Sequence, residues 1–227
     1  MKLDPHFSGS GPVLIRQIYH SRPTLSSVYR CGTMTYVSMK EALIIIGILI
    51  NSVGTAFYLR SMFGGKSKPN KMTFLMWSIA PMIGGVAGIM KGATWTVLPV
   101  FAAGLWPLVI LVAAFSVPTA YWKLKPSDYA CGALSALALI FWAITKEPNV
   151  AILFAILSDG FAAFPTLIKA WRHPETEYPS GYLASSFSGF TGVIAAPFYS
   201  FAQIAFPLYL FVMMGLIGLS ALRKRIF

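Results

Sequence analysis

One stretch of the sequence is decisive for the fold: SDGFAAFPTLIKAWRHPETE, from Ser158 to Glu177. It places an aspartate, Asp159, inside a long apolar run that continues through a proline and ends in several charged residues. An earlier stretch, NSVGTAFYLRSMFGGKSKPN from Asn51 to Asn70, ends in a similar way. A shift of 108 residues places Asn51 on Asp159. The chain therefore resembles itself, and we expect two related structural units.

The amino-acid composition indicates whether the chain folds in water or in a membrane. Hydrophobic residues make up 56% and charged residues only 11% of 227 positions, which is too apolar for one soluble domain. The net charge of +11 could suggest nucleic acid. The basic residues, however, lie at the ends of apolar runs and form no continuous basic face. The expected partner is therefore the lipid bilayer, and no nucleic acid is expected.

Seven apolar runs have a length of about 17 to 25 residues, which crosses the hydrocarbon core as a helix. Backbone polar groups in lipid need internal partners, so these runs are predicted to be α-helices. The fold class is then all-α, a polytopic membrane protein with seven transmembrane helices. The division between the last two runs depends on a turn at APFYSFAQ. The predicted helices cover residues 41–59, 72–90, 95–117, 127–145, 149–170, 180–198 and 201–222.

The helix count and the self-similarity together predict two three-helix repeats. The third helix of each repeat carries Pro-Leu after an aromatic residue, in LWPLVILV from Leu105 and AFPLYLFV from Ala205. With one linker helix between them, both repeats enter the membrane in the same direction, so they are parallel repeats (3+1+3). The predicted domains are an N-terminal extension (1–40), a first repeat (41–117), a linker helix (118–147), a second repeat (148–222) and a basic tail (223–227).

Lys and Arg are concentrated in alternate loops, which predicts the orientation. They follow the first, third, fifth and seventh helices, so this side is predicted to be cytoplasmic, with the N-terminus outside. The extension 1–40 is also basic and would resist translocation. One interpretation is that translation starts at Met34 or Met39 and that the preceding segment is disordered or absent in the cell.

This layout of 3+1+3 helices, with the N-terminus outside and the C-terminus inside, resembles the SWEET and PQ-loop transporter superfamily. That superfamily carries a Pro-Gln pair in the first helix of each repeat, where this chain has Pro165-Thr166 and Ala56-Phe57. The stretches GGKSKPN and WRHPETE are also similar to those of uncharacterised bacterial membrane proteins. The resemblance implies an alternating-access carrier in a bacterial inner membrane. It does not imply a sugar, because neither 95–117 nor 201–222 contains the asparagine of the sugar carriers.

Three residues are candidates for substrate binding. Asp159 lies near the predicted midplane, where an unpaired acid costs at least a few kcal/mol. It could face a cavity between the repeats and bind a polar or cationic substrate or a proton, or it could bond to a neighbouring helix. Asn51 at the equivalent depth is its expected partner, unless it only joins helices. Trp106 either lines the cavity or packs between helices.

Prolines inside the predicted helices are candidate hinges, because proline removes a backbone donor and allows a helix to bend. The hinge candidates are Pro165 with Thr166, Pro107 and Pro207. Each of them could equally be a static kink, since proline is frequent in membrane helices.

No set of residues predicts an enzyme. The only histidines are His6, His20 and His173, and no second acid is expected to accompany Asp159 inside the membrane. We therefore expect no catalytic residues, no metal and no cofactor, and we expect His173, Glu175 and Glu177 to form a solvated loop. The predicted function is a carrier for a small polar solute. The alternative is a non-transporting receptor, scaffold or assembly factor on the same fold, and a homo-oligomer stays open in either case.

Overall fold

The computed structural model describes residues 38–117, 124–145 and 147–226. The fold of these residues is all-α, with no strand among them. Seven α-helices follow one another, with a short 3-10 turn, Pro174–Thr176, between the fifth and the sixth. The helices are α1 (Met39–Phe63), α2 (Lys71–Met90), α3 (Val97–Phe115), α4 (Pro126–Thr145), α5 (Pro148–Arg172), α6 (Pro179–Ala195) and α7 (Phe201–Ile226).

Each predicted span corresponds to one observed helix. The largest differences are at the ends of α1 and α7, which continue to Phe63 and Ile226 where the sequence predicted residues 59 and 222. Six helices are long and apolar enough to cross a membrane. The seventh, α6, has 17 residues, the short end of the spanning range. The protein is therefore a multi-pass membrane protein of helical fold.

Local sequence signals explain where several helices begin and end. Ser38 caps α1 by accepting a hydrogen bond from the Glu41 N–H, while the Glu41 carboxylate accepts one from the Ser38 N–H. Asn70 caps α2 through its side-chain oxygen. Helix α6 begins with Pro179, and the predicted turn after it is confirmed, because residues 196–200 are not helical.

The packing of the helices has the pattern expected of two three-helix repeats. Helix α1 packs against α6 and α3, and in the same way α5 packs against α2 and α7. The α2–α3 pair of the first repeat likewise has its counterpart in the α6–α7 pair of the second. Helix α4 packs mainly against α5, and among the described helices none takes an equivalent place around α1.

Two hydrogen bonds between the repeats reproduce the same relationship in detail. The Thr73 hydroxyl in α2 donates to the Ala162 carbonyl in α5 at 2.8 Å, and the Ser180 hydroxyl in α6 donates to the Gly54 carbonyl in α1 at 3.2 Å. The two acceptors are 108 residues apart (162 − 54), and the two donors are 107 apart (180 − 73). The spacing of the acceptors is the shift of 108 at which the sequence matches itself, and the spacing of the donors differs from it by one residue.

The loops divide between the two ends of the bundle as the sequence predicted. The loop after α1 contacts the loop after α5, because the Lys68 N–H donates to the Thr176 carbonyl at 3.0 Å. At the opposite end, Lys91 after α2 pairs with Glu147 before α5 at 2.9 Å. We call the end that carries residues 64–70 and 173–178 the basic end. Its assignment to the cytoplasm stays a prediction.

The outer faces of the helices are apolar. On α1, the exposed side chains include Leu49, Val53 and Phe57, each about half accessible. On α3, Val112 and Phe115 are exposed to a similar or greater degree. These faces suit contact with lipid tails, and they leave the polar side chains of the same helices to the interior of the bundle.

Candidate functional site

A small cavity lies at the centre of the bundle and is lined by both repeats. Its volume is about 40 Å³, which is room for a few water molecules. Helices α1, α2 and α3 line it from the first repeat, and α5, α6 and α7 from the second. The polar and aromatic residues of its lining are Asn51, Thr55, Tyr58, Phe74, Trp77, Trp106, Asp159, Tyr182 and Ser185.

Asp159 contributes a buried carboxyl group to this cavity, with 1% of the residue exposed. Its Oδ2 accepts a hydrogen bond from the Tyr209 hydroxyl in α7 at 2.8 Å. Its Oδ1 is buried and has no hydrogen-bond partner in the protein. An acceptor left in this state costs about 1–3 kcal/mol, so this oxygen has room for one further hydrogen-bond donor.

Asn51 and Trp106 lie on the same cavity as Asp159. Asn51 belongs to α1 and is 2% exposed. Trp106 belongs to α3, and its indole N–H is buried without an acceptor. Asp159 Oδ1 and the Trp106 N–H are thus two buried polar atoms of the lining without a hydrogen-bond partner among the described residues. That these three residues bind a substrate stays a prediction.

Aromatic rings form one wall of the cavity. The Trp77 ring meets Phe74 at a centroid distance of 5.4 Å and Tyr182 at 6.2 Å, both edge to face. Tyr58 lies 5.8 Å from both Phe74 and Tyr182. The Trp77 N–H donates to the backbone carbonyl of Asp159 at 3.3 Å, which ties this wall to the helix that carries the acid.

The expectation of a solvated loop is wrong for Glu177, which is 2% exposed. Its carboxylate accepts hydrogen bonds from the Tyr58 hydroxyl at 3.1 Å and the Tyr182 hydroxyl at 2.7 Å. Both tyrosines come from helices that pack against each other, so they converge on one carboxylate. For His173 and Glu175 the expectation is confirmed, because about half of each side chain is accessible.

Lys169 completes this group and is also buried. Its ammonium lies 2.5 Å from Glu177 Oε1 and also donates to the Lys68 carbonyl in the loop after α1. We call Tyr58, Lys169, Glu177 and Tyr182 the Glu177 cluster. Since its two tyrosines also line the cavity, the cluster lies directly beside it.

The predicted Pro165-Thr166 hinge lies inside α5, and its threonine contacts α2. Pro165 has no N–H to offer to the carbonyl one turn earlier. Nearby, the Thr166 hydroxyl donates to the Thr73 hydroxyl at 3.1 Å, which donates in turn to the Ala162 carbonyl. Side-chain hydroxyls thus bind α5 to α2 beside the proline.

The other two hinge candidates occupy different surroundings. Pro107 lies inside α3 and lines the cavity, next to Trp106. Pro207 lies inside α7 and packs tightly against α6, where a Cβ added at Gly192 would lie 3.2 Å from the Pro207 Cβ. All three helices continue through their prolines. Whether any of the prolines acts as a hinge stays a prediction.

Other groups of reactive side chains are not brought together in the part of the chain that the structure describes. There, no cluster of three or more His, Cys, Asp or Glu residues could hold a metal ion. His6, His20 and one of the two cysteines, Cys31, lie outside the described residues, as does most of the extension 1–40. The central cavity is therefore the candidate site that we develop below.

No family model, no curated protein and no solved structure matches the chain. The relation to the SWEET and PQ-loop superfamily consequently stays a prediction from the helix layout and the short stretches that resemble it.

Proposed function

We propose that the protein is a carrier for a small polar solute and that it works by alternating access between its two three-helix repeats. The single observation that supports this most is the Asp159 carboxyl group, which presents an unpaired oxygen at a cavity that both repeats enclose. A buried acid without a full set of partners is typical of substrate and ion pathways in membrane proteins. The location proposed with it is a bacterial inner membrane, with the basic end in the cytoplasm.

In this proposal the described conformation is closed towards the basic end. Opening there requires Tyr58 and Tyr182 to separate, because both now donate to Glu177. The two residues belong to different repeats, α1 and α6, so a rocking motion of one repeat against the other would part them. Pro107, Pro165 and Pro207 are the positions at which α3, α5 and α7 could bend during this motion.

A scaffold or assembly factor is the second candidate, and the small cavity volume favours it. About 40 Å³ holds a few water molecules and no larger solute, so a carrier must open further than the described conformation. A scaffold would have no such need. The two functions therefore differ in whether the cavity ever becomes accessible from outside the bundle.

Cysteine labelling separates these two functions. Cys31 and Cys131 are replaced by serine, and single cysteines are introduced at Thr55 and Ser185, which line the cavity from the two repeats. A carrier predicts that a membrane-impermeant thiol reagent labels each position from both sides of oriented vesicles. Ser158→Cys is the matched control, because Ser158 is fully buried on α5 but does not line the cavity. Protection of all three positions from both sides would support the scaffold.

A further inference from the structure

We propose that the solute is a small organic cation and that Asp159 is its counter-ion in the central cavity. This inference rests on the proposed function and assigns a chemical class to the substrate. It follows from the charge of the cavity, from its aromatic wall and from the polar groups of its lining.

The charge of the lining is one-sided. Asp159 is the one ionisable acid among the described residues that line the cavity, and no Lys, Arg or His is among them. The nearest base identified by contacts is Lys169, which lies beyond Tyr58 and Tyr182 and is bound to Glu177. Asp159 Oδ1 therefore has no positive partner within the protein. A cationic ligand supplies the missing positive charge, and one that carries an N–H or O–H group also supplies the missing hydrogen-bond donor to Oδ1.

The aromatic wall suits a cation better than it suits a neutral polar molecule. Five lining residues carry aromatic rings, and the negative face of such a ring attracts an ammonium group. This attraction is strongest where water is excluded, as it is around buried Trp77 and Tyr58. The two largest aromatic rings of the lining, those of Trp77 and Trp106, come from α2 and α3, whereas the acid comes from α5 in the other repeat. A cation between them would contact both repeats.

Most polar groups of the aromatic wall are already occupied by partners within the protein. The hydroxyls of Tyr58 and Tyr182 are bound to Glu177, and the Trp77 N–H is bound to the Asp159 carbonyl. The Trp106 N–H is the buried donor of the lining that is left without an acceptor. The Trp106 N–H and the side chains of Asn51, Thr55 and Ser185 are the polar groups of the lining that could bind a hydroxyl or carbonyl group of the cation, as in an amino alcohol.

Matched ligands can test the charge separately from the shape. Choline and 3,3-dimethyl-1-butanol have nearly the same shape, but only choline carries a positive charge. Thermal unfolding of the purified protein in lipid nanodiscs is measured with each of them and with tetramethylammonium, because a ligand of the folded state raises the apparent stability. The measurements are repeated on Asp159→Asn. The matched control is Asp128→Asn, which makes the same change at a buried aspartate on α4, outside the cavity.

We expect choline and tetramethylammonium to raise the melting temperature and the neutral analogue to leave it unchanged. Asp159→Asn should weaken the apparent affinity for choline at least tenfold, and Asp128→Asn should retain it. The inference is overturned if the neutral analogue stabilises equally, if Asp159→Asn binds choline normally, or if neither cation binds. Labelling of the cysteines at positions 55 and 185 then shows which proposal has failed. If both are labelled from both sides, the carrier function stands and only the cationic substrate is wrong. If both are protected from both sides, the carrier function is wrong as well.

Discussion

Lys169 and Glu177 form an ion pair whose Nζ and Oε1 atoms are 2.5 Å apart, with at most 2% of either side chain exposed. The pair joins the end of α5 to the segment before α6, and Glu177 extends the connection to α1 through Tyr58. Buried charges need such additional hydrogen bonds, because the loss of hydration is otherwise larger than the attraction within the pair. The Glu177 cluster thus connects the repeats directly beside the cavity.

Replacing Glu177 by Gln should destabilise the protein by about 3 kcal/mol, because it leaves the Lys169 ammonium buried without its counter-charge. The measurement is thermal or denaturant unfolding in nanodiscs. Glu175→Gln is the matched control on the exposed neighbour and should change stability by less than about 0.5 kcal/mol. In the double variant with Lys169→Met, much of the loss should be recovered, since both charges are then removed. If Glu177→Gln and Glu175→Gln lowered the stability equally, the buried ion pair would contribute no more to stability than the exposed Glu175.

Asp159→Asn should leave the protein folded and as stable as the original chain, while solute binding is lost. The amide oxygen of asparagine can still accept the hydrogen bond from Tyr209, and the buried charge with its unpaired oxygen is removed. Unfolding and ligand binding are measured on the same preparation, so that a loss of binding is not confused with a loss of fold. Strong destabilisation by this substitution would indicate that Asp159 serves the packing of helices.

Part of this site could be predicted from the sequence because the sequence repeats itself. The register that aligns Asn51 with Asp159 identifies two polar residues at the same depth, and the structure places both on the cavity. Trp106 was found from the aromatic-Pro-Leu element that recurs in α7. These signals are local and depend only on spacing along the chain.

Other parts of the site left no such signal. Tyr209 binds Asp159 from α7, but both the lipid face and the inner face of that helix are apolar, so periodicity does not show which way it faces. Glu177 lies in a charged stretch that is typical of a solvated loop, and its burial depends on Tyr58 and Tyr182, which come from distant parts of the chain. Pairings of this kind depend on how the repeats pack, which spacing alone does not reveal.

The orientation of the protein can be tested at the two ends of the bundle. Lys66 is exposed in the loop at the basic end, and Thr94 is exposed in the loop between α2 and α3 at the opposite end. If the basic end is cytoplasmic, a cysteine at Thr94 should react with an impermeant reagent in intact cells, and a cysteine at Lys66 should react only after the cells are opened. The reverse result would place the N-terminus of α1 in the cytoplasm and overturn the assignment from the basic loops.

Adding even one methyl group to the contact between α1 and α6 should disturb the packing of these two helices. A Cβ added at Gly54 would lie 2.3 Å from the Ala184 Cβ and 2.7 Å from the Ser180 carbonyl oxygen, so the helices must move apart to admit it. We expect Gly54→Ala to lower the stability of the protein by about 1–3 kcal/mol, the usual effect of overpacking. Gly160→Ala is the matched control, since its Cβ would meet only Tyr209, at 3.8 Å, and alanine favours a helix by about 1 kcal/mol over glycine. Thermal unfolding of both variants in nanodiscs should shift in opposite directions. A Gly54→Ala protein as stable as the original chain would show that the repeats do not approach each other closely along this pair of helices.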